Sequence, residues 1–310
     1  MDEIISPVDK DVLLKELNQD RFIRKANNGD NLIFIIDHLN SPNVLQEIGR
    51  LREITFRDAG GGTGKSVDID DYDVAQKPYK QLIVWNPDDK EIIGGYRFIR
   101  CGDVELSSEG IPHLATTGLF KFSKTFCDDY VPYTIELGRS FVQPRYQPSV
   151  QNRKGLFSLD NLWDGLGALV IDNPDIKYFF GKVTMYTTFE KTARDMILSF
   201  MHYYFPDNQQ LVTPHNPLKL FSDMGEFTEQ FKGLSYKDGH RVLNQAVRAK
   251  GENIPPLINS YMNLSASMKT FGTASNDHFG DVEESGILVT ISEIYNSKKE
   301  RHLSTYFPNR

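Results

Sequence analysis

The run Tyr133-Thr-Ile-Glu-Leu-Gly-Arg-Ser-Phe-Val142 sets one acid and one base in what otherwise reads as a buried strand. Tyr133, Ile135 and Leu137 alternate, so Glu136, Gly138 and Ser140 face the other side of a regular pleat. A carboxylate buried in that way is costly, so Glu136 needs a cationic partner or a proton. A carboxyl that can take up a proton is also what general-base chemistry requires. Arg139 faces away from Glu136 if the pleat is perfect, but Gly138 between them allows a bulge that turns both towards one opening. From these residues alone, a Glu136–Arg139 ion pair that only fixes the fold is an equal reading.

Further charges stand where apolar residues are the rule. Arg52 lies in an amphipathic helix and Arg97 in a strand, each among hydrophobic neighbours. Asp68, Asp70 and Asp73, with Tyr72 among them, form an acidic segment open to three readings. As a calcium loop it lacks the glycine at the sixth position and the bidentate glutamate at the twelfth. It could be a solvated turn, or its carboxylates could pair with Arg52, Arg97 and Arg139. Just upstream, Ala59-Gly-Gly-Gly-Thr-Gly-Lys65-Ser66 matches a relaxed phosphate-binding loop. Such a loop needs a buried strand before it and a helix after it, so that amides and helix dipole meet the phosphates. This one follows a helix and precedes acids, so a flexible loop beside a substrate opening fits better.

The elements that must position these residues can be read from periodicity. Ser6-Pro7-Val8-Asp9 signals a helix start, with Leu13, Leu14 and Leu17 on one face. Asn31 to Asp37 is a strand. Ser41-Pro42 opens a longer helix through Val44, Leu45, Ile48, Leu51 and Phe56, ending at glycines 60 to 62. Residues 79–85 and 91–100 form a hairpin around Asn86-Pro-Asp-Asp89, and 101–132 read as loops with short helix. Beyond the Glu136 strand, Leu159 to Val170 give a helix with Ser158 as cap, and Lys177 to Val183 a strand. Helices follow at 188–204, 237–250 and 255–268, and a last strand at 286–292. Interleaved strands and helices give an α/β class with a mixed sheet.

Composition bounds the function. The 310 residues are 39% hydrophobic and 25% charged, an ordinary globular balance, and the net charge of −7 argues against a nucleic-acid binder. Cys101 and Cys127 supply neither a disulfide framework nor a metal-ligand spacing. The N-terminus lacks a basic start and a long apolar core, and Leu32-Ile-Phe-Ile-Ile36 is too short to span a bilayer, so the chain reads as cytoplasmic.

Taken together, Leu51-Arg52-Glu-Ile-Thr-Phe56, Asp68-x-Asp70-x-Tyr72-Asp73, Ile93-Gly-Gly-Tyr-Arg97 and Glu136-Leu-Gly-Arg139-Ser-Phe resemble successive signatures of the acyl-homoserine-lactone synthase branch of the GNAT superfamily. Leu162-Trp163-Asp-Gly-Leu166, Tyr178-Phe-Phe-Gly181-Lys-Val and Ile254-Pro-Pro-Leu-Ile-Asn-Ser-Tyr261 with Asp277-His-Phe-Gly resemble the N-acyltransferases of ornithine and glycine lipids, often labelled hemolysin-like. The resemblance runs from about residue 45 to 295, with residues 205–250 unmatched. It implies one GNAT domain over 1–310, a twisted mixed sheet flanked by helices, an N-terminal extension over 1–40 and a helical insertion near 205–250.

It further implies transfer of a long, 3-hydroxylated acyl group from a thioester to the amine of glycine, ornithine or another small amino acid. No bound cofactor or metal is required. The resemblance casts Glu136 as base, with Arg139 and Arg97 beside it, and gives Arg52, Phe56, Asp68, Asp70, Asp73, Ser140 and Phe141 to the substrate pocket. Oxyanion stabilisation falls to backbone N–H groups of the strand. Coenzyme A users carry a Gly-x-Gly turn after this strand, whereas Gln143 to Gly155 has none. A donor with a single phosphodiester, as on acyl carrier protein, needs less cradle. Val142, Arg145, Arg153 and Lys154 are the candidates for holding it, although a solvated basic loop reads equally well. A peripheral contact with the inner face of the membrane is compatible with such a product. A lactone-type synthase or a non-catalytic hemolysin-like binding protein are the alternatives.

Overall fold

The computed structural model describes residues 1–147 and 155–308. In chain order the elements are α1 (Lys10–Glu16), β1 (Phe22–Lys25), β2 (Leu32–Ile36), α2 (Pro42–Asp58), α3 (Asp71–Val74), β3 (Lys80–Asn86), β4 (Glu91–Arg100), β5 (Phe120–Phe122) and β6 (Thr134–Val142). They continue with α4 (Ser158–Asp172), β7 (Tyr178–Met185), α5 (Lys191–Tyr204), β8 (Val212–Pro214), α6 (Met224–Phe231), α7 (Tyr236–Ala249), α8 (Pro256–Met262), β9 (Lys269–Asn276), β10 (Val282–Thr290) and α9 (Asn296–His302). The chain divides into two compact units, one of Met1–Val104, Tyr133–Lys177 and Tyr295–Arg310, the other of Glu105–Pro132 and Tyr178–Ile294. The α/β class expected from the sequence is what both contain.

In the first unit, β1, β2, β3, β4 and β6 pair antiparallel in that order. Alternate residues of β3 serve opposite faces. Gln81 meets Arg52 of α2, whereas Leu82 packs so closely under α4 that a Cβ on Gly165 would lie 2.6 Å from it. The two helices therefore cover the two sides of the sheet. Helix α2 begins with Pro42 in its first turn and buries Val44, Leu45, Ile48, Leu51 and Phe56 at helical spacing. It also buries Arg52 and Glu53 completely.

Gly49 brings the acidic segment against α2. Its carbonyl accepts the Asp68 amide at 3.1 Å, and a Cβ at this position would lie 2.6 Å from Val67 and 2.8 Å from Ile69. One helical turn further on stands Arg52, so this close approach sets the distance at which Asp68 meets it.

Between β4 and β6 the register breaks. Arg97 pairs with Gly138 and Gly95 with Phe141, so Arg139 and Ser140 together oppose Tyr96. This is a β-bulge where the sequence placed one. The residue that bends the strand is Arg139, at φ +46°, and not Gly138. The partner strand is built to pass it, since a Cβ on Gly94 would lie 2.3 Å from the Phe141 carbonyl oxygen.

The second unit has β7, β10 and β9 antiparallel in that order and a separate β5–β8 pair. Helices α5, α6 and α7 pack together, and β8, α6 and α7 occupy the stretch expected as a helical insertion. Rings of Phe122, Phe126, Phe180 and Phe271 interlock edge to face beside the three-stranded sheet.

Several boundaries differ from the sequence reading. Helix α1 starts at Lys10 with Asp9 as its cap, because the Asp9 carboxylate accepts the amides of Asp11 and Val12 while Ser6 lies outside the helix. Strand β10 starts at Val282, four residues early, since Glu283 pairs with Arg194 of α5 and Glu284 with Lys182 of β7. Helix α8 ends at Met262, short of the Met268 expected, strand β9 follows from Lys269, and β5 lies in the region read as loop.

Gly49→Ala should lower stability by about 1–3 kcal/mol through overpacking against Val67 and Ile69. The check is a urea midpoint that falls while the slope of the transition is kept.

Candidate active site

The charges singled out in the sequence converge on the α2 side of the first unit's sheet. Arg52 donates from Nη2 to the Asp68 carbonyl at 2.6 Å and to Asp73 Oδ2 at 2.7 Å, and its Nε lies 3.2 Å from Asp68 Oδ2. Arg97 Nη1 lies 2.6 Å from Asp70 Oδ1 and 3.3 Å from Asp73 Oδ2. Arg139, turned to this side by the bulge, has Nε 3.0 Å from Asp68 Oδ2 and Nη2 3.5 Å from Asp70 Oδ2. Three guanidiniums thus face three carboxylates. The acidic segment is paired, which leaves neither the calcium-loop nor the solvated-turn reading in place. Among the described residues no cluster of His, Cys, Asp and Glu is arranged to hold a metal ion.

Local structure explains how the acids arrive. Asp70 caps α3 through the amides of Tyr72 and Asp73, and the Asp73 carboxylate returns to the Asp70 amide, a capping box that fixes both side chains. Gln81, almost fully buried, bridges the cluster by donating to Asp73 Oδ1 at 2.9 Å and accepting from Arg52 at 3.3 Å.

Electrostatics follow from burial and pairing. Burial works against the Asp73 charge, but Arg52 and Arg97 overcome it and hold the carboxyl well below its ordinary range. Burial likewise opposes charge on Arg52 and Arg97, and their carboxylate partners raise both above the usual guanidinium value. Arg139 goes the other way. Burial, with Arg97 and Arg52 as like charges nearby, outweighs Asp68 and Asp70 and lowers it, so it is the least compensated cation of the cluster.

Glu136 is 1% exposed and shares this face, because its register partner is Ile99 and the next same-face pair is Gly138 with Arg97. The Tyr79 hydroxyl donates to Glu136 Oε1 at 3.0 Å. Tyr79 in turn carries the Arg97 guanidinium 5.0 Å from its ring centroid and packs edge-on against Tyr72 at 5.6 Å. Burial, then the Glu136 charge, raises the Tyr72 hydroxyl above its ordinary value. The same two causes push the buried Cys101 thiol well up, so it stays a neutral core group.

Tyr79 and Gln81 were not among the residues expected from the sequence. Gln81 was findable as the one uncharged polar side chain inside Lys-Gln-Leu-Ile-Val-Trp, where a buried amide must have partners. Tyr79 looked like ordinary strand core.

The remaining expected residues are distributed as follows. Phe56 is buried on α2 one turn beyond Arg52, Ser140 sits in the bulge, and Phe141 and Val142 pair with Gly95 and Gly94 past it. Arg145 is exposed and bound to Glu91 at 2.6 Å. Arg153 and Lys154 lie outside the described residues.

The glycine loop is corrected. Rather than standing loose beside the site, it encloses a protein carboxylate: Glu53, fully buried, accepts the Thr63 and Gly64 amides at 3.0 and 2.8 Å and the Thr63 hydroxyl at 2.7 Å. Arg57 adds a bond at 2.7 Å. Burial opposes this charge, yet the donors hold Glu53 below its ordinary value.

Asp73→Asn should cost about 3–5 kcal/mol, because it leaves buried arginine charge uncompensated. Asp73 is depressed in the folded state, so its stabilisation is complete above its ordinary value of 3.8 and is lost as pH falls below it. Urea titrations at stepped pH should show the wild type losing stability below about pH 4 and the variant losing less over the same interval.

Comparison with known proteins gives the family. Residues 51–153, which span α2 to β6 and include every member of the charged cluster, match the Acetyltransferase (GNAT) domain family. A solved acyl-homoserine-lactone (AHL) synthase, LasI, aligns with 50% of this chain and 72% of its own at 15% identity and a TM-score of 0.34. The chain is 51% identical to a glycine N(alpha)-acyltransferase of Phocaeicola vulgatus, over 99% of this chain and 94% of that protein. It is 54% identical to a glycine N(alpha)-acyltransferase of Bacteroides thetaiotaomicron, over 99% and 91% of the two. With that identity sustained along nearly its whole length, the chain belongs to the same acyltransferase family as these two proteins.

Proposed function

We propose that this acyltransferase moves a long fatty acyl group from the thioester of acyl carrier protein to the α-amine of glycine, the first step towards an amino-acid lipid. The observation that carries the acceptor is the near full-length identity to two glycine N(alpha)-acyltransferases. The side chains suit the chemistry. Glycine is protonated at its amine near neutral pH, so a proton must leave before nitrogen can attack. Glu136, buried beside Arg97 and oriented by Tyr79, is the base.

Attack forms the C–N bond at the thioester carbonyl and places charge on its oxygen. A backbone N–H of β6 is the group we assign to meet that charge. Collapse breaks the C–S bond, and the thiolate takes up a proton as it leaves. No step draws on a resident cofactor. Arg97 and Arg139 border the reacting face and suit the acceptor carboxylate, while Arg52, Asp68, Asp70 and Asp73 hold them in place.

The absence of a Gly-x-Gly turn after β6 supports the carrier-protein donor over coenzyme A. A 3-hydroxylated chain and ornithine as acceptor rest on family resemblance. Among the described residues no helix is long and apolar enough to cross a membrane. We place the reaction in the cytoplasm, with the amphiphilic product passing to the inner face of the membrane.

Purified protein given acyl carrier protein charged with a long acyl group should release free thiol on addition of glycine, read with a thiol reagent, and mass spectrometry should find N-acylglycine. Release with ornithine and not glycine would overturn the acceptor, release with acyl coenzyme A alone would overturn the donor, and silence with every amino acid would overturn the reading. Glu136→Gln should keep the fold and lower kcat by about 10²–10⁴-fold. Tyr79→Phe removes one hydroxyl from Glu136 and should lower kcat with little change in KM.

A further inference from the structure

Three glycines line the central strands of the first unit, and one of them has no packing reason to be glycine. A Cβ on Gly94 would lie 2.3 Å from the Phe141 carbonyl oxygen, and on Gly95 2.7 Å from that of Leu82, so both are required by neighbouring backbone. On Gly138 a Cβ would meet no atom within 4 Å. Gly138 is not among the residues with positive φ, so the backbone does not ask for glycine either. A glycine inside a strand weakens it. The absence of a side chain here leaves open space on the face that carries the charged cluster.

That space has chemically distinct neighbours. Gly138 lies two residues from Glu136 on the same side of β6 and directly across from Arg97 on β4. Arg97 is 4% exposed, and its Nε is buried without a hydrogen-bond partner among the described residues. A buried donor left unmade is unfavourable, and a bound anion is one way to satisfy it. A carboxylate to one side and a guanidinium to the other match a small zwitterion whose amine and carboxylate are one carbon apart.

We propose that the space above Gly138 is the acceptor seat, in which a small amino acid lies with its amine towards Glu136 and its carboxylate towards Arg97. Gly138 is then a specificity-determining position: it is glycine so that the acceptor can approach the base. The assignment rests on the acyl-transfer reading for its catalytic consequence and on open space and charge alone for binding.

Gly138→Ala separates these claims. Calorimetric titration with glycine measures the seat directly, and steady-state thiol release measures its use. The variant should fold with Tm unchanged or raised, bind glycine at least tenfold more weakly, and show a KM for glycine raised by a similar factor with the KM for the acyl donor unchanged. Gly138→Ser should weaken glycine further. The assignment is overturned if the alanine variant binds glycine as the wild type does, if only the donor KM moves, if the wild type binds no small amino acid, or if the variant fails to fold, since the space would then not be open. Glycine binding that is lost in the variant, with no thiol release by the wild type, would uphold the seat and overturn the acyl-transfer reading.

Discussion

The first unit depends on a balance of buried charge. Arg52, Arg97 and Arg139 enter one face of a sheet, and Asp68, Asp70 and Asp73 enter with them. Isolated, any of these ions would pay heavily for leaving water; in mutual contact they cost far less, but only in one geometry. That geometry draws on a helix, a capped turn and strands that are distant in sequence. The helix supplies Arg52, the capping box holds Asp70 and Asp73, and the strands bring Arg97 and Arg139. Displacing any one element strands charge on the others, so the cluster ties their positions together.

The bulge is where this constraint meets chemistry. A regular pleat would send Arg139 to the α4 side, away from Asp68. At φ +46° a non-glycine residue is strained, and the strain persists because Asp68 and Asp70 hold the guanidinium on the other side. The same irregularity takes a residue of β6 out of the ladder beside Glu136. One distortion therefore completes the ionic cluster and shifts the strand register on the face of the buried acid. Neither would follow from a straight strand.

Much of this was legible because buried charge is rare enough to stand out. Arg52, Arg97 and Arg139 each interrupted an apolar pattern, and the acidic segment offered matching partners, so the pairing could be anticipated without the fold. Strand and helix types held where periodicity was long, as in α2 and the β3–β4 hairpin. Legibility failed where a distant partner decides. Glu283 and Glu284 look like the end of a loop until Arg194 and Lys182 are brought beside them. The bulge was assigned to the residue best suited to it, Gly138, but cluster electrostatics placed the turn at Arg139. Tyr79 was missed because a tyrosine bound to a buried carboxylate and a core tyrosine have the same sequence signature.

The fate of the glycine loop bears on where an anionic ligand can bind in this unit. Its amides form a cradle of the kind that receives phosphate, yet Glu53 occupies it and is held ionised by Thr63, Gly64 and Arg57. Asp70 and Asp73 likewise take up the amides at the start of α3. Both of these anion-binding devices are thus filled by the unit's own carboxylates. Arg52 is saturated by Asp68, Asp73 and Gln81. The buried Nε of Arg97, which has no hydrogen-bond partner among the described residues, borders the face of Gly138. The proposed acceptor seat lies beside that face, two residues along β6 from the buried acid to which Tyr79 donates.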